Sequence, residues 1–268
     1  MKKLPSWIAL FGFALLLVAC AGEKATETSD APEEVMEAVA PTITLTPLEG
    51  SPAFPEASLS LNADPSMADD TSYTFDFTVS GYTLGEQTTP ASPNQLANSG
   101  KGQHIHFIVN NGPYSAHYEP GFTSNKFKED GNYVVLAFLS RSYHESVKNL
   151  ADPSSYVITQ INKGGSGEEA DLSAPHMFYS RPKGTYSGEG AKKVLLDFFL
   201  LNTDLAADGS KIRATINGEE FMIDKWQPYV IEGAPMGTLT VKLELLDGEG
   251  NLVSSPFNPV MREVTLEE

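Results

Sequence analysis

Histidine is the residue in this chain whose type and spacing could do chemistry. Of the 5 histidines, His104, His106, His117 and His144 fall in one stretch and His176 lies further on. His104 and His106 are two apart in an apolar run, so on a strand their rings share a face, roughly 7 Å apart along the backbone. Two imidazoles so placed can hold one zinc or copper ion if a third ligand reaches them. His117 follows a turn and can return toward the same strand, and His144 is a further candidate. The metal reading therefore uses His104, His106 and His117, with His144 in reserve. The alternative is a solvated polar strand face, since a bare His-x-His lacks the third ligand that defines a site.

A second candidate is Ser140 to Asn149, which packs Arg141, His144, Glu145 and Lys148 behind an apolar run. Arg141 and Lys148 could grip a carboxylate or phosphate. A local Arg141–Glu145 pair that orders the turn is the plainer alternative. His144-Glu145-Ser146-Val147-Lys148 has the outline of a zinc-protease helix motif, but Lys148 stands where the second histidine belongs, so that reading fails. Between Pro175 and Gly184, Tyr179 and Arg181 alternate onto one face and could stack on a sugar or line a seam between domains. Together with Tyr114, these residues form the candidate ligand-contact set. No Gly-x-Ser-x-Gly elbow, P-loop or dinucleotide fingerprint occurs. The acids of Asp204 to Gly209 lack the alternation of an EF-hand loop. The expectation is a protein without catalysis.

The elements that must position these side chains read as strands. Tyr73, Phe75, Phe77 and Val79 are spaced by two, as are Ile105, Phe107 and Val109, then Tyr133, Val135, Ala137 and Leu139. Ile212, Ala214 and Ile216 repeat the pattern, followed by Leu239, Val241, Leu243 and Leu245. Period two with β-branched and aromatic residues marks half-buried strands. Asn111-Gly112 and Asn217-Gly218 sit between such runs as hairpin turns. The two halves align in order, with Asp76-Phe77 against Asp197-Phe198, His104-Ile105-His106 against Lys211-Ile212-Arg213, and Tyr114 opposite Phe221. The expected fold is all-β, two tandem Ig-like β-sandwich domains of one design. Their bounds are 44–163 for a His-rich domain, 164–174 for a Gly-rich linker and 175–268 for the second domain. The halves differ in one strand. Thr240, Lys242 and Glu244 give the second domain a wet face, whereas the matching Val134, Leu136 and Phe138 are apolar and need a cover. The cover is the other domain, a partner, or the loop from Glu86 to Gln103, which is absent from the second half and is also a place for binding.

The N-terminus carries an address. Lys2 and Lys3 precede the uncharged, nearly all-apolar run Trp7 to Val18, too short for a convincing membrane span. Leu17-Val18-Ala19-Cys20 resembles the lipobox of bacterial lipoproteins. That resemblance implies a signal peptide over 1–19, cleavage before Cys20 and lipidation of its thiol. The lipidated N-terminus and a disordered linker rich in Ala, Glu, Thr and Pro then span 20–43. Cys20 is the only cysteine, so neither a disulfide nor a thiolate metal site is open to the rest. The residues after Cys20 lack the Asp that favours inner-membrane retention. This implies an outer-membrane anchor, with the domains facing the periplasm or the surface. Loss of the two signal lysines takes the formal charge from −17 to −19, which argues against nucleic-acid partners.

The stretches GQHIHFIVNNGPYSAHYEP, FLSRSYHESVKN, MFYSRPKGTY and INGEEFMIDKWQPYVIEGAPMGTLTVKLELLD resemble a family of uncharacterised bacterial envelope lipoproteins. The first two are also similar to a His-rich β domain of other exported bacterial proteins. The resemblance implies the two-domain layout and an envelope location, and it brings no catalytic residues. The functional expectation is a non-catalytic binding or adhesion module, held to a membrane by lipid. An envelope protein, a glycan or a small ligand would meet it mainly at the first domain. The alternative is a copper- or zinc-binding lipoprotein using the His-x-His strand.

Overall fold

The computed structural model describes residues 42–90, 96–148 and 155–268. The signal segment, Cys20 and nearly all of the proposed stalk lie outside the described residues. Ala40–Glu268 forms one compact unit. Its regular secondary structure is almost wholly strand, arranged as two β-sandwiches. Among the described residues no helix is long and apolar enough to cross a membrane.

In the first sandwich, one sheet runs β6 (Ser115–His117), β5 (His104–Val109), β8 (Gly131–Ser140), β9 (Tyr156–Lys163). The facing sheet centres on β4 (Ser72–Ser80), which pairs with β2 (Ser58–Leu61), β3 (Ser66–Asp69) and β7 (Gly121–Ser124). Alternate side chains fill the space between, so Phe75, Phe77, Ile105, Phe107, Val135 and Ala137 share one core. The second sandwich repeats the plan. Its sheet of β14 (Glu219–Ile223), β13 (Lys211–Ile216), β16 (Gly237–Leu246) and β17 (Val260–Glu267) is extended at the β17 edge by β11 (Thr185–Ser187). The facing sheet is β10 (His176–Arg181), β12 (Lys193–Leu201), β15 (Tyr229–Glu232) and β1 (Thr44–Pro47). A single helical turn, α1 (Glu189–Lys192), leads into β12.

Strand order and register match between the halves. His104 pairs with Ser140 and Ile105 with Leu139, as Lys211 pairs with Leu246 and Ile212 with Leu245. The hairpin asparagines match as well. Asn110 and Asn217 both have left-handed backbone (φ 48° and 46°), which Asn tolerates better than most residues. Each accepts at Oδ1, at 2.8 Å, the backbone N–H of the strand beyond: Val134 in one half, Thr240 in the other. The β6 register shifts one expectation. Phe107 pairs with Ser115 as Ala214 pairs with Phe221, so Ser115 is the counterpart of Phe221 and Tyr114 belongs to a longer hairpin loop.

Two features tie the sandwiches together. Thr44–Pro47, which sequence spacing assigns to the first module, pairs with β15 and closes an edge of the second. Leu45 packs on the second core there, and β15 gains ladder partners on both sides. The apolar outer face of β8 is covered by the second sandwich. Val134, Leu136 and Phe138 pack with Ile108, Tyr114, Phe178, Phe199 and Leu201 in a cluster of their own. Ala170 and Leu172, from the segment expected to be a linker, pack against that cluster too.

Candidate metal centre

The inter-sandwich seam is where the histidines meet. On β5, Ile105, Phe107 and Val109 point into the first core, which leaves His104, His106 and Ile108 facing the second sandwich. His104 and His106 are completely buried. His144 comes from the tight turn after β8. That turn is closed by hydrogen bonds from the Arg141 N–H to the Glu145 carbonyl and from the His144 N–H to the Arg141 carbonyl, both 2.8 Å. Its backbone is left-handed, φ 69°, a state costing an L-residue about 1–2 kcal/mol. It sets His144 beside the strand pair.

Three ring nitrogens converge. His104 Nε2 lies 3.0 Å from His106 Nε2 and 3.1 Å from His144 Nδ1. One ligand atom from each ring falls within 4.8 Å of the others. Zn–N bonds of about 2.05 Å in a tetrahedron place neighbouring nitrogens roughly 3.3 Å apart. These two edges need only a few tenths of an ångström of widening to match it. Tyr114 completes the group, with its hydroxyl 3.2 Å from His144 Nδ1 and its ring stacked on His106 at 3.6 Å.

Outer partners orient two of the rings. His104 Nδ1 donates to the Gly102 carbonyl at 2.8 Å, which leaves the Nε2 lone pair toward the cluster. Gly102 can sit there because it has no side chain: a Cβ would come within 2.4 Å of the Glu86 carbonyl oxygen, and φ is +84°. His106 Nδ1 lies 3.1 Å from Ser180 Oγ, a contact from the second sandwich. Ser180 is the extra residue of a bulge in β10, where Tyr179 pairs with Phe198 and Arg181 with Asp197. Such a bulge re-aims a side chain. The His104 Nε2 lone pair faces His106 Nε2 at hydrogen-bond distance, 3.0 Å, so these two nitrogens can share either a proton or a cation, and histidine metal ligands commonly carry outer hydrogen bonds of this kind.

Electrostatics keep the rings neutral, as ligands must be. Burial pushes His104 down to about 4. The Gly102 hydrogen bond opposes this shift, and the charges of Arg181 and Lys183 add to it. Burial holds His106 and His144 well below the usual histidine range, aided by neighbouring rings and by Arg181. The Tyr114 hydroxyl is pushed up by burial, against the pull of Arg181.

The remaining sequence candidates take other places. His117 does not join the cluster. It pairs with Ile105, so it sits on the opposite face from His104 and His106. There it stacks on Phe122 at 3.4 Å and meets Ser115 Oγ at 2.9 Å. Arg141 and Glu145 form a buried ion pair at 3.0 Å. Arg141 also donates to the Pro52 and Ser146 carbonyls, and Ser51 donates to Glu145. These bonds brace the turn that carries His144. Lys148 pairs with the fully buried Asp197. Tyr179 lies in the second core, and Arg181 sits over the Tyr114 ring, 5.5 Å from its centroid. Sequence reasoning missed Ser180 and Gly102. The bulge that aims Ser180 leaves no mark in the strand alternation, and Gly102 lies in a loop where glycine is ordinary.

No family model and no curated protein matches the chain. Among solved structures, the chain is similar to the fibronectin(III)-like modules of Clostridium thermocellum CbhA, at 11% identity and TM-score 0.28. That match covers 78% of this chain and 94% of that one. The central fibronectin-III array of RIM-binding protein matches at 11% identity and TM-score 0.27, over 83% and 72% of the two chains. The FN1–FN3 domains of chicken CNTN1 match at 10% and 0.23, over 82% and 69%.

Proposed function

We propose that this protein is a non-catalytic metal-binding protein of the bacterial envelope. His104, His106 and His144 would be the ligands of one copper or zinc ion, with Tyr114 at the fourth position. The reading rests on one observation, the convergence of three ring nitrogens, two of them on completely buried rings, all within 4.8 Å of one another. All-imidazole donor sets suit copper and zinc rather than the oxygen-seeking magnesium or calcium. The envelope location rests on Lys2, Lys3, the apolar run and Leu17-Val18-Ala19-Cys20, with the lipid on Cys20 as the membrane link. The apolar face of β8, an expected contact surface, is occupied by the second sandwich, so this reading places the ligand site in the seam.

Metal analysis of the purified mature chain after loading with copper or zinc and desalting tests the proposal. The expected result is one ion per chain, lost in His144→Ala and in His106→Gln while circular dichroism stays that of the parent. Retention of no ion after loading, or the same stoichiometry in both variants, would overturn it.

A further inference from the structure

Beside the histidine cluster lies a second unassigned group. Lys126, Arg181, Lys183 and Arg262 gather around the hairpin loop Asn110–Tyr114 in a chain of net charge −17. Among the described residues none of the four forms an ion pair with an acid, although seven ion pairs occur elsewhere. Lys126 donates to the Pro113 carbonyl at 2.6 Å, Lys183 to the Tyr114 carbonyl at 2.9 Å and Arg262 to the Asn111 carbonyl at 2.7 Å. Those bonds anchor the loop, but carbonyls do not neutralise four like charges. After burial itself, the charges of Lys183 and Arg262 help push Lys126 down to about 8.

Donor capacity is also left over. Among the described residues, the buried Arg181 Nε, Arg262 Nη1 and Tyr179 hydroxyl find no hydrogen-bond partner. Arg181 is only 6% exposed and Tyr179 is 0% exposed. The Arg262 guanidinium lies over the Tyr179 ring, 4.4 Å from its centroid, and the Lys183 ammonium lies 4.3 Å from that of Tyr114. Buried donors left unpaired in a native structure call for an explanation. Two guanidinium edges, a phenol and an ammonium with no counter-charge have the donor chemistry that oxyanions match.

We propose that this cluster is a binding site for one small oxyanion of the phosphate or sulfate class, held by Arg181, Lys183 and Arg262 with the Tyr179 hydroxyl. The site is distinct from the histidine cluster and does not depend on a metal there. It adjoins that cluster through Tyr114, whose ring stacks on His106 and also meets Lys183.

The test is calorimetric titration of the metal-free mature chain with inorganic phosphate and with sulfate, against sodium chloride of equal ionic strength. The expected result is saturable binding of one ion per chain and a rise in Tm that chloride does not reproduce. Lys183→Gln, at a partly buried position, should weaken the affinity at least tenfold, and so should Arg262→Gln. Circular dichroism checks that each variant folds. Phosphate and sulfate effects no larger than chloride's would overturn the proposal. So would full phosphate affinity in a folded Lys183→Gln protein, because the ion would then bind elsewhere.

Discussion

Replacing Phe199 with alanine should destabilise both sandwiches at once. Phe199 projects from β12 across the seam and stacks on Phe138 with ring centroids 4.7 Å apart and planes 17° apart. Trp226 and Tyr156 meet it edge-on at 5.1 and 5.3 Å. The side chain is 1% exposed, so the truncation opens a cavity that surrounding strands cannot easily fill. Phe→Ala changes in such settings cost about 3–5 kcal/mol. For a body of about 150–250 residues, each kcal/mol moves Tm by roughly 2–4 °C, so the expected fall is about 6–20 °C. Because the seam is a continuous apolar cluster, wild type and variant should each melt in one calorimetric transition. A cycle adding Phe138→Ala should return a coupling of about 0.5–1.5 kcal/mol for the ring pair. Two separate transitions in the wild type, with only one moved by Phe199→Ala, would refute the reasoning: the sandwiches would then be independent modules in loose contact.

Three further outcomes follow from the site. Ser180→Ala removes the partner of His106 Nδ1 and should weaken metal affinity about 10–100-fold in a chelator competition, and unchanged affinity would show that contact to be idle. His117→Ala should leave metal stoichiometry as it was, since that ring lies on the other face of the sheet; loss of the ion would restore it as a ligand. Lys148→Met leaves the fully buried Asp197 carboxylate without its cation and should cost about 3–5 kcal/mol in urea denaturation. Exchanging both partners for apolar residues should recover much of that loss, and a single variant as stable as the parent would mean that Asp197 needs no counter-charge.

The pleated design was legible because alternation is local. Phe75, Phe107 and Val135 each announce an inward face within a few residues, and Asn217-Gly218 announces its hairpin. The apolar outer positions Val134, Leu136 and Phe138 also stated that a cover existed. What covers them is a long-range fact, and so is the pairing of Thr44–Pro47 with β15. The third member of the histidine cluster was decided by parity. Whether His117 returns to the face of His106 or to that of Ile105 depends on the number of residues spent in the Asn110–Tyr114 loop. One residue more or less reverses the answer. His144 reaches the cluster through a left-handed turn, which the hydrophobic pattern does not encode.

The divergence of the two halves has a physical logic. Equivalent positions carry His104 and His106 in one sandwich and Lys211 and Arg213 in the other. Where the face is wet, Arg213 is a third exposed and reaches Glu244 at 2.8 Å, and water shares the cost of its charge. Where the second sandwich closes over the face, a lysine or arginine at either position would be buried against Phe138 and Tyr114 with no acid paired nearby, at a cost of several kcal/mol. Imidazole can occupy such a place uncharged, provided that each ring nitrogen finds a partner. Two of those partners are Gly102 and Ser180, and the remaining lone pairs have only one another and Tyr114. Docking of the sandwiches therefore selects nitrogen donors that can be buried uncharged on this strand and gathers them in the seam.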